Sequence, residues 1–291
     1  MGRAFLRLFC EVFMRQIYAE EMKKLQIEIL DSVVKFCDEN DIHYFLNGGT
    51  LLGAVRHKGY IPWDDDIDLG MLRPDYDKFI ELFNNSSSRY KIHCIENDPE
   101  YIYNSARVFD ERTELYEPDR KTGSRTAVSI DIFVMDNAPD DDAALKRMFT
   151  RQFIFRNLNL GRVLPVFMPP NGRNIFKRLL TYAVRIFMNM IPVFIIPKNY
   201  FAVKAIENAK KYVSEHTRRV GDFSGGHFIA IDREQLAGFT YGEFEGKQYK
   251  IPIGYDEWLT KLYGDYMKLP PKKWQITHHY YEAYLKEDGD E

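Results

Sequence analysis

Residues 45–79 read FLNGGTLLGAVRHKGYIPWDDDIDLGMLRPDYDKF, and the fold turns on how this stretch is read. Tyr44–Leu46 predicts a short strand, Gly48-Gly49 a turn, residues 50–55 a short helix, and Ile67–Met71 a second strand. Pro74-Asp75 suits the start of another helix. Running into the second strand are four carboxylates in five positions, Asp64, Asp65, Asp66 and Asp68. Crowded like charges raise one another's pKa, so the cluster calls for open water or a counter-charge. Side chains alternate along a strand, so Asp66 and Asp68 share one face roughly 6–7 Å apart while Ile67 and Leu69 point away. Hard divalent cations suit that spacing, because they bind a couple of carboxylates together with phosphate oxygens. A solvated acidic turn is the plain alternative. A calcium loop is rejected: it needs Gly and Glu where this chain has Leu69 and Asp75.

Two further features flank the acids. Upstream, Gly48-Gly49-Thr50 opens the first helix, and glycine lets backbone amides approach an anion closely at a helix N-terminus. Alone it reads as an ordinary turn, since it is neither GxGxxG nor a Walker loop. Downstream, SIDIFVMD (129–136) sets Asp131 in an apolar strand, where an unpaired carboxylate would be unfavourable. Asp131 is therefore either paired to Arg107 or Arg125, or the third carboxylate of a site.

The 291 residues suffice for one large domain or a domain with an annex, and 45% hydrophobic with 29% charged residues is globular composition. A formal net charge of −3 gives no whole-molecule attraction to nucleic acid. Cys10, Cys37 and Cys94 are scattered without CxxC spacing, which argues against disulfides and a cysteine zinc site and for a cytoplasmic setting. The N-terminal stretch lacks signal-peptide features, and no run of about 18 apolar residues predicts a membrane span.

Periodicity predicts helix over 3–39, strands near 90–95, 101–109 and 127–136, helix from about 140 to 220, strands over 227–253, and a helical tail from Asp256. The helix over 175–196 is the most apolar piece. Ile175, Leu179, Ala183, Ile186, Met190 and Phe194 share one face, with Lys177, Arg178, Thr181, Arg185 and Asn189 opposite. It reads equally as a helix buried on the catalytic domain or as one lying in a membrane interface. Phe5, Leu6, Leu8 and Phe9 with Arg3 and Arg7 raise the same question at the N-terminus.

A Gly-Gly turn before a helix, a D-x-D and a lone strand Asp make up the signature of the nucleotidyltransferase (polymerase-beta-like) fold. Residues 45–79 resemble more narrowly the LicD family, whose eukaryotic relatives include fukutin and fukutin-related protein. ARVFDERTELYE (106–117), SIDIFVMD (129–136), YGDYMKLPP (263–271) and His278-His279 are similar to the family too. The resemblance implies an α+β fold: a small mixed sheet flanked by helices. Its parts would be an N-terminal helical segment (1–40), a catalytic core (41–140), a helical insertion (141–225) and a C-terminal part completing the core (226–291).

It further implies metal-dependent transfer of a phospho-alcohol, phosphocholine first, from a CDP-activated donor such as CDP-choline. The acceptor would be a hydroxyl of a cell-surface glycan, such as lipopolysaccharide or teichoic acid, or of its lipid-linked precursor, and CMP would be released. One or two Mg²⁺ or Mn²⁺ ions would sit on Asp66, Asp68 and Asp131, the catalytic set, with Asp64, Asp65, Trp63 and Asp110 in support. Trp63 reads more readily as core. Gly48, Gly49, Thr50, Arg56, His57, Lys58 and Arg107 would meet donor phosphate. Arg56-His57-Lys58 also reads as a solvated loop, and Arg107 equally as the ion-pair partner of Asp131. Tyr263 and His278 would form a lid or simply pack. The expected location is cytoplasmic, with peripheral contact at the inner membrane face left open. The competing readings are a true nucleotidyltransferase leaving NMP on its acceptor and a non-catalytic glycan- or nucleotide-binding protein. The presence of Asp66, Asp68 and Asp131 argues against the last.

Overall fold

The structure, a computed structural model, describes residues 14–116, 126–164, 175–225, 228–277 and 281–286, without the side chains of 175–177. The chain enters as strand β1 (Met14–Ile17) and turns at the extended Tyr18 into helix α1 (Ala19–Glu39). Met22, Ile29, Leu30, Val33 and Cys37 make the buried face of α1, and Gln26 interrupts it. Strand β2 (Phe45–Leu46) leads into helix α2 (Gly48–Arg56), and the acidic turn leads into β3 (Asp68–Leu72) and α3 (Arg73–Leu82). Then come β4 (Lys91–His93), β5 (Ala106–Phe109), β6 (Thr113–Tyr116) and the long β7 (Ser129–Ala138). Helices α4 (Asp142–Val163), α5 (Ile175–Met190) and α6 (Tyr200–Ala209) precede β8 (Arg219–Asp222) and β9 (Ile229–Asp232). A short helix α7 (Glu234–Ala237), the hairpin β10 (Phe239–Phe244) and β11 (Lys247–Pro252), helix α8 (Tyr255–Tyr263) and β12 (Glu282–Lys286) complete it. The hairpin turns on Glu245 and Gly246, with φ of 49° and 75°, the left-handed pair that a two-residue turn requires.

The main sheet has seven strands in the order β2-β3-β7-β5-β4, with β8 and β9 added along β7. Only the β3–β7 pairing is parallel among them. Asp131 aligns with Asp68 on one side and Arg107 on the other; Met135 aligns with Leu72 on one side and Asp222 on the other. Strands β5 and β8 therefore lie end to end along one edge of β7. Aligned residues share a face, so Asp68, Arg107, Asp131 and Asp222 project together. Ile130, Ile132, Val134 and Asp136 project from the opposite face and are buried. There Arg73 grips Asp136 through Nε (2.7 Å) and Nη2 (2.8 Å), a sealed two-point ion pair.

The α+β expectation holds as a mixed sheet with helices, but the sheet is larger than the small one expected, and three local expectations are corrected. Helix does not run unbroken over 3–39: residues 14–17 are a strand, because they pair with β12, and 1–13 lie outside the described residues. The helical region ends before 219, since the ten residues of β7 outrun β5 and leave an edge that β8 fills. The tail is not all helix: residues 282–286 form a strand between β1 and β6. Among the described residues no helix is long and apolar enough to cross a membrane.

Candidate active site

The elbow between β2 and α2 is shaped by carboxylates. Gly48 has a φ of +53°, and a Cβ there would fall 2.6 Å from Asp68 Oδ2; at Gly49 it would fall 2.3 Å from Asp64 Oδ2. Only glycine leaves room for both acids against the first turn of α2, whose dipole favours negative charge. The anions that the elbow meets here are thus the protein's own. Thr50 is buried, and its hydroxyl oxygen accepts from the Asp68 amide at 2.8 Å, fixing the start of β3 on α2. Asn47, also buried, accepts from Trp258 Nε1 of α8 at 2.9 Å.

Asp64, Asp65 and Asp66 each offer a carboxylate oxygen within 4.8 Å of the others. Asp68 joins them: burial first, then the charges of Asp66, Asp131, Asp64 and Asp222, hold its carboxyl well above the usual range. An all-oxygen set of crowded carboxylates fits a hard divalent cation, which would relieve that repulsion. Asp65 is the most enclosed of the four, with Gln26 Nε2 donating to its carbonyl at 3.0 Å and the Tyr281 hydroxyl bonded to its side chain. The same Gln26 accepts from the Tyr60 hydroxyl at 3.0 Å. A cleft of about 620 Å³ opens beside Asp64 and Asp65, walled by β1, the start of α1 and β12.

Asp131 faces the cluster from the neighbouring strand, and Arg107 holds it: Nε lies 2.6 Å from Oδ1 and Nη2 donates to Oδ2 at 3.3 Å. Arg107 is therefore the ion-pair partner that sequence left open, and its guanidinium rests over the Tyr103 ring at 4.4 Å. Tyr263 closes α8 with 44% of its surface exposed; desolvation of its phenol and the charges of Asp68, Asp64 and Asp66 push its pKa up, with Arg56 acting the other way. Arg56 also donates to the Tyr266 carbonyl and, through Nε, to His57 Nδ1 at 3.3 Å. Burial lowers the pKa of both Arg56 and His57, and Arg56 lowers His57 further.

Other expected residues stand apart. Lys58 is exposed at a φ of 63°, where its carbonyl accepts from Glu245 of the hairpin at 3.0 Å. Trp63 is half-buried against the core, edge-on to His57 at 6.3 Å. Asp110 is buried in the β5–β6 turn and held by Arg112 through Nε (2.9 Å) and Nη2 (2.6 Å), a turn-building role away from the cluster. His278 lies outside the described residues. Sequence reasoning missed Gln26, Asn47, Trp258 and Asp222. The polar break in the apolar face of α1 could have pointed to Gln26. Val220-Gly221-Asp222, an acid in an apolar strand before Ser-Gly-Gly, repeats the pattern that singled out Asp131.

With this geometry in place, comparison with known proteins gives the lineage. The LicD/FKTN/FKRP nucleotidyltransferase-domain family matches residues 41–156. The lipopolysaccharide cholinephosphotransferase LicD of Haemophilus influenzae is 31% identical over 278 residues, covering 94% of this chain and 100% of that protein. The uncharacterized protein RT0683 of Rickettsia typhi is 40% identical over 63 residues, 21% of this chain and 20% of that one. The ribitol 5-phosphate transferase FKRP of Homo sapiens is 49% identical over 43 residues, 15% of this chain and 9% of that one. An end-to-end relative at this identity, together with a family match spanning the elbow, the acids and β7, means that the chain belongs to the LicD family.

Proposed function

We propose that the protein is a metal-dependent transferase that moves a phospho-alcohol, phosphocholine first, from a CDP-activated donor to a hydroxyl of a glycan. The observation that carries this reading is the convergence of Asp64 and Asp68 on the Gly-Gly elbow, with Asp66 beside Asp64 and Asp131 aligned with Asp68 on β7. The nucleotidyltransferase-like fold named for the family is the frame proposed for that convergence. Asp66 and Asp68, with Asp64 beside them, would hold Mg²⁺ or Mn²⁺, which supplies charge neutralisation at the donor pyrophosphate.

The remaining chemistry falls to the chain itself. Asp131, oriented by Arg107, takes the proton of the acceptor hydroxyl. That oxygen forms the new bond to the phosphorus bearing the alcohol. The bond from this phosphorus to the bridging oxygen breaks, and CMP leaves with its electron pair. Arg56, reaching the site alongside Tyr263, balances charge on the leaving phosphate. Phosphoryl-type transfer asks mostly for such positioning and charge stabilisation. Tyr18 and Tyr281 with Glu20 and Glu282 line the cleft beside Asp64. Aromatic faces and carboxylates suit a quaternary ammonium head, which supports choline as the alcohol.

The test is a panel of CDP-alcohols with Mg²⁺ and a glycan acceptor, scored by CMP release and product mass. CDP-choline should give CMP, EDTA should stop the reaction, and Mg²⁺ or Mn²⁺ should restore it. Transfer of NMP from a triphosphate, with pyrophosphate released, would replace this reading with a true nucleotidyltransferase.

A further inference from the structure

Helix α5 turns its apolar side outward. Arg185 and Met188 are buried against the protein, and Asn189 Nδ2 donates to the Gly161 carbonyl of α4 at 3.1 Å. Arg162, buried on α4, donates to the carbonyls of Met188, Ile191 and, at 2.6 Å, Ile196. The face with the hydrogen-bonding groups is thereby fixed inward. Leu179, Ile186, Met190 and Phe194 of the apolar face are left in solvent with Phe187 beside them, Phe194 at 88% exposure, and Phe153 and Ile154 of α4 are exposed as well. Of the two readings that the helix allowed from sequence, burial of the apolar face is thus overturned.

Charge selects what covers this surface. From residue 143 to 206 the sequence carries eleven lysines and arginines, of which Arg162 and Arg185 are buried, and no acid, in a chain whose formal net charge is −3. Arg151, Arg178 and Lys198 are exposed next to the apolar side chains in sequence. An apolar face with cations and no acids complements an anionic lipid surface.

The helices are also tied to the loop that leads to the site. Asn159 donates to the Ile102 carbonyl at 2.9 Å and Asn199 to the Pro99 carbonyl at 2.7 Å. That loop runs on into Tyr103, on which Arg107 rests.

We propose that α5, the turn after it and the exposed edge of α4 form a docking face for an anionic bilayer, so that the enzyme works on an acceptor carried in that surface. Only the lipid-carried acceptor and the CMP-release control rest on the proposed transferase reading; docking is read by sedimentation and stands apart from it.

The test uses the full chain with sucrose-loaded vesicles, either phosphatidylcholine alone or with about one lipid in three replaced by phosphatidylglycerol. The protein should sediment with the anionic vesicles, and added salt should release it. Phe187→Asp with Phe194→Asp should lower partitioning at least about tenfold. Arg151→Glu with Lys198→Glu should do so too while leaving the CMP-release rate on a soluble acceptor unchanged. These side chains are exposed, so thermal melts matching the parent will show that the variants fold. A protein that stays in the supernatant with anionic vesicles at low salt overturns the proposal. A lipid-free dimer that the two Phe substitutions dissolve, seen by analytical ultracentrifugation, overturns it in favour of a second copy.

Discussion

Two aspartates five positions apart on β7 each hold an arginine, and the two pairs differ in what surrounds them. Asp136 and Arg73 are 1% and 3% exposed, on the core face of the strand. Asp131 and Arg107 are 18% and 17% exposed, on the face that carries Asp68. Strand parity alone makes the difference, since residues an odd number apart point to opposite sides. The sealed pair is structural: burial raises the Asp136 carboxyl, and the hydrogen bonds and charge of Arg73 oppose that. The open pair keeps its charges within reach of solvent, on the face of the proposed site. One strand thus anchors the core with one face and carries the proposed site on the other.

That contrast can be broken experimentally. The largest effect should come from the open face. Asp66→Asn or Asp68→Asn should reduce CMP release by about a thousandfold or more, since metal-held charge is worth several kcal/mol at the transition state. Because its neighbours and burial already disfavour the charged form of Asp68, Asp68→Asn should raise, not lower, the melting temperature of the metal-free protein. Near-normal turnover in either variant would remove these acids from the site.

Next is the sealed face. Arg73→Ala strands a buried carboxylate, and such losses are about 3–5 kcal/mol, so the melt should fall by about 5–8 °C in a chain of this length. Arg107→Gln should lower turnover about 10–100-fold, as loss of an orienting partner does, with little change in the melt. If Arg107→Gln destabilised as much as Arg73→Ala, the distinction between the faces would fail.

The smallest effect is a pH slope. Burial holds His43 below the usual imidazole range, with the Asp75 charge opposing. The unfolded chain therefore binds the extra proton first, below about pH 6.5. Stability should hold above that pH and decline as pH falls through it, and His43→Gln should flatten the decline in a melting series. Asp68 works in the opposite sense: its raised folded pKa disfavours the folded state as pH rises above the carboxylate range. Measuring the series in the Asp68→Asn background separates the two.

The elbow, the acid run and the strand around Asp131 were legible because each is local: turn residues, period-two alternation and a polar residue in an apolar strand. The readings that failed depend on partners distant in sequence. Residues 14–17 look helical until β12 is present to pair with them. Arg107 could be assigned only once register placed it opposite Asp131. The outward turn of α5 was hidden for the same reason: amphipathic periodicity shows that a helix has two faces, while the carbonyls that Arg162 reaches decide which one faces in. Asp222 escaped because its strand fills an edge that exists only after β7 has formed.

The tie between Asn47 and Trp258 has a consequence for how the molecule is made. A ribosome adds about 5–20 residues per second, so the elbow emerges some ten seconds or more before its indole partner. Strand β1 waits longer still for β12. During that interval the nascent chain carries its acids on an elbow that the indole has not yet clasped, so the proposed site is completed only when the C-terminal part arrives.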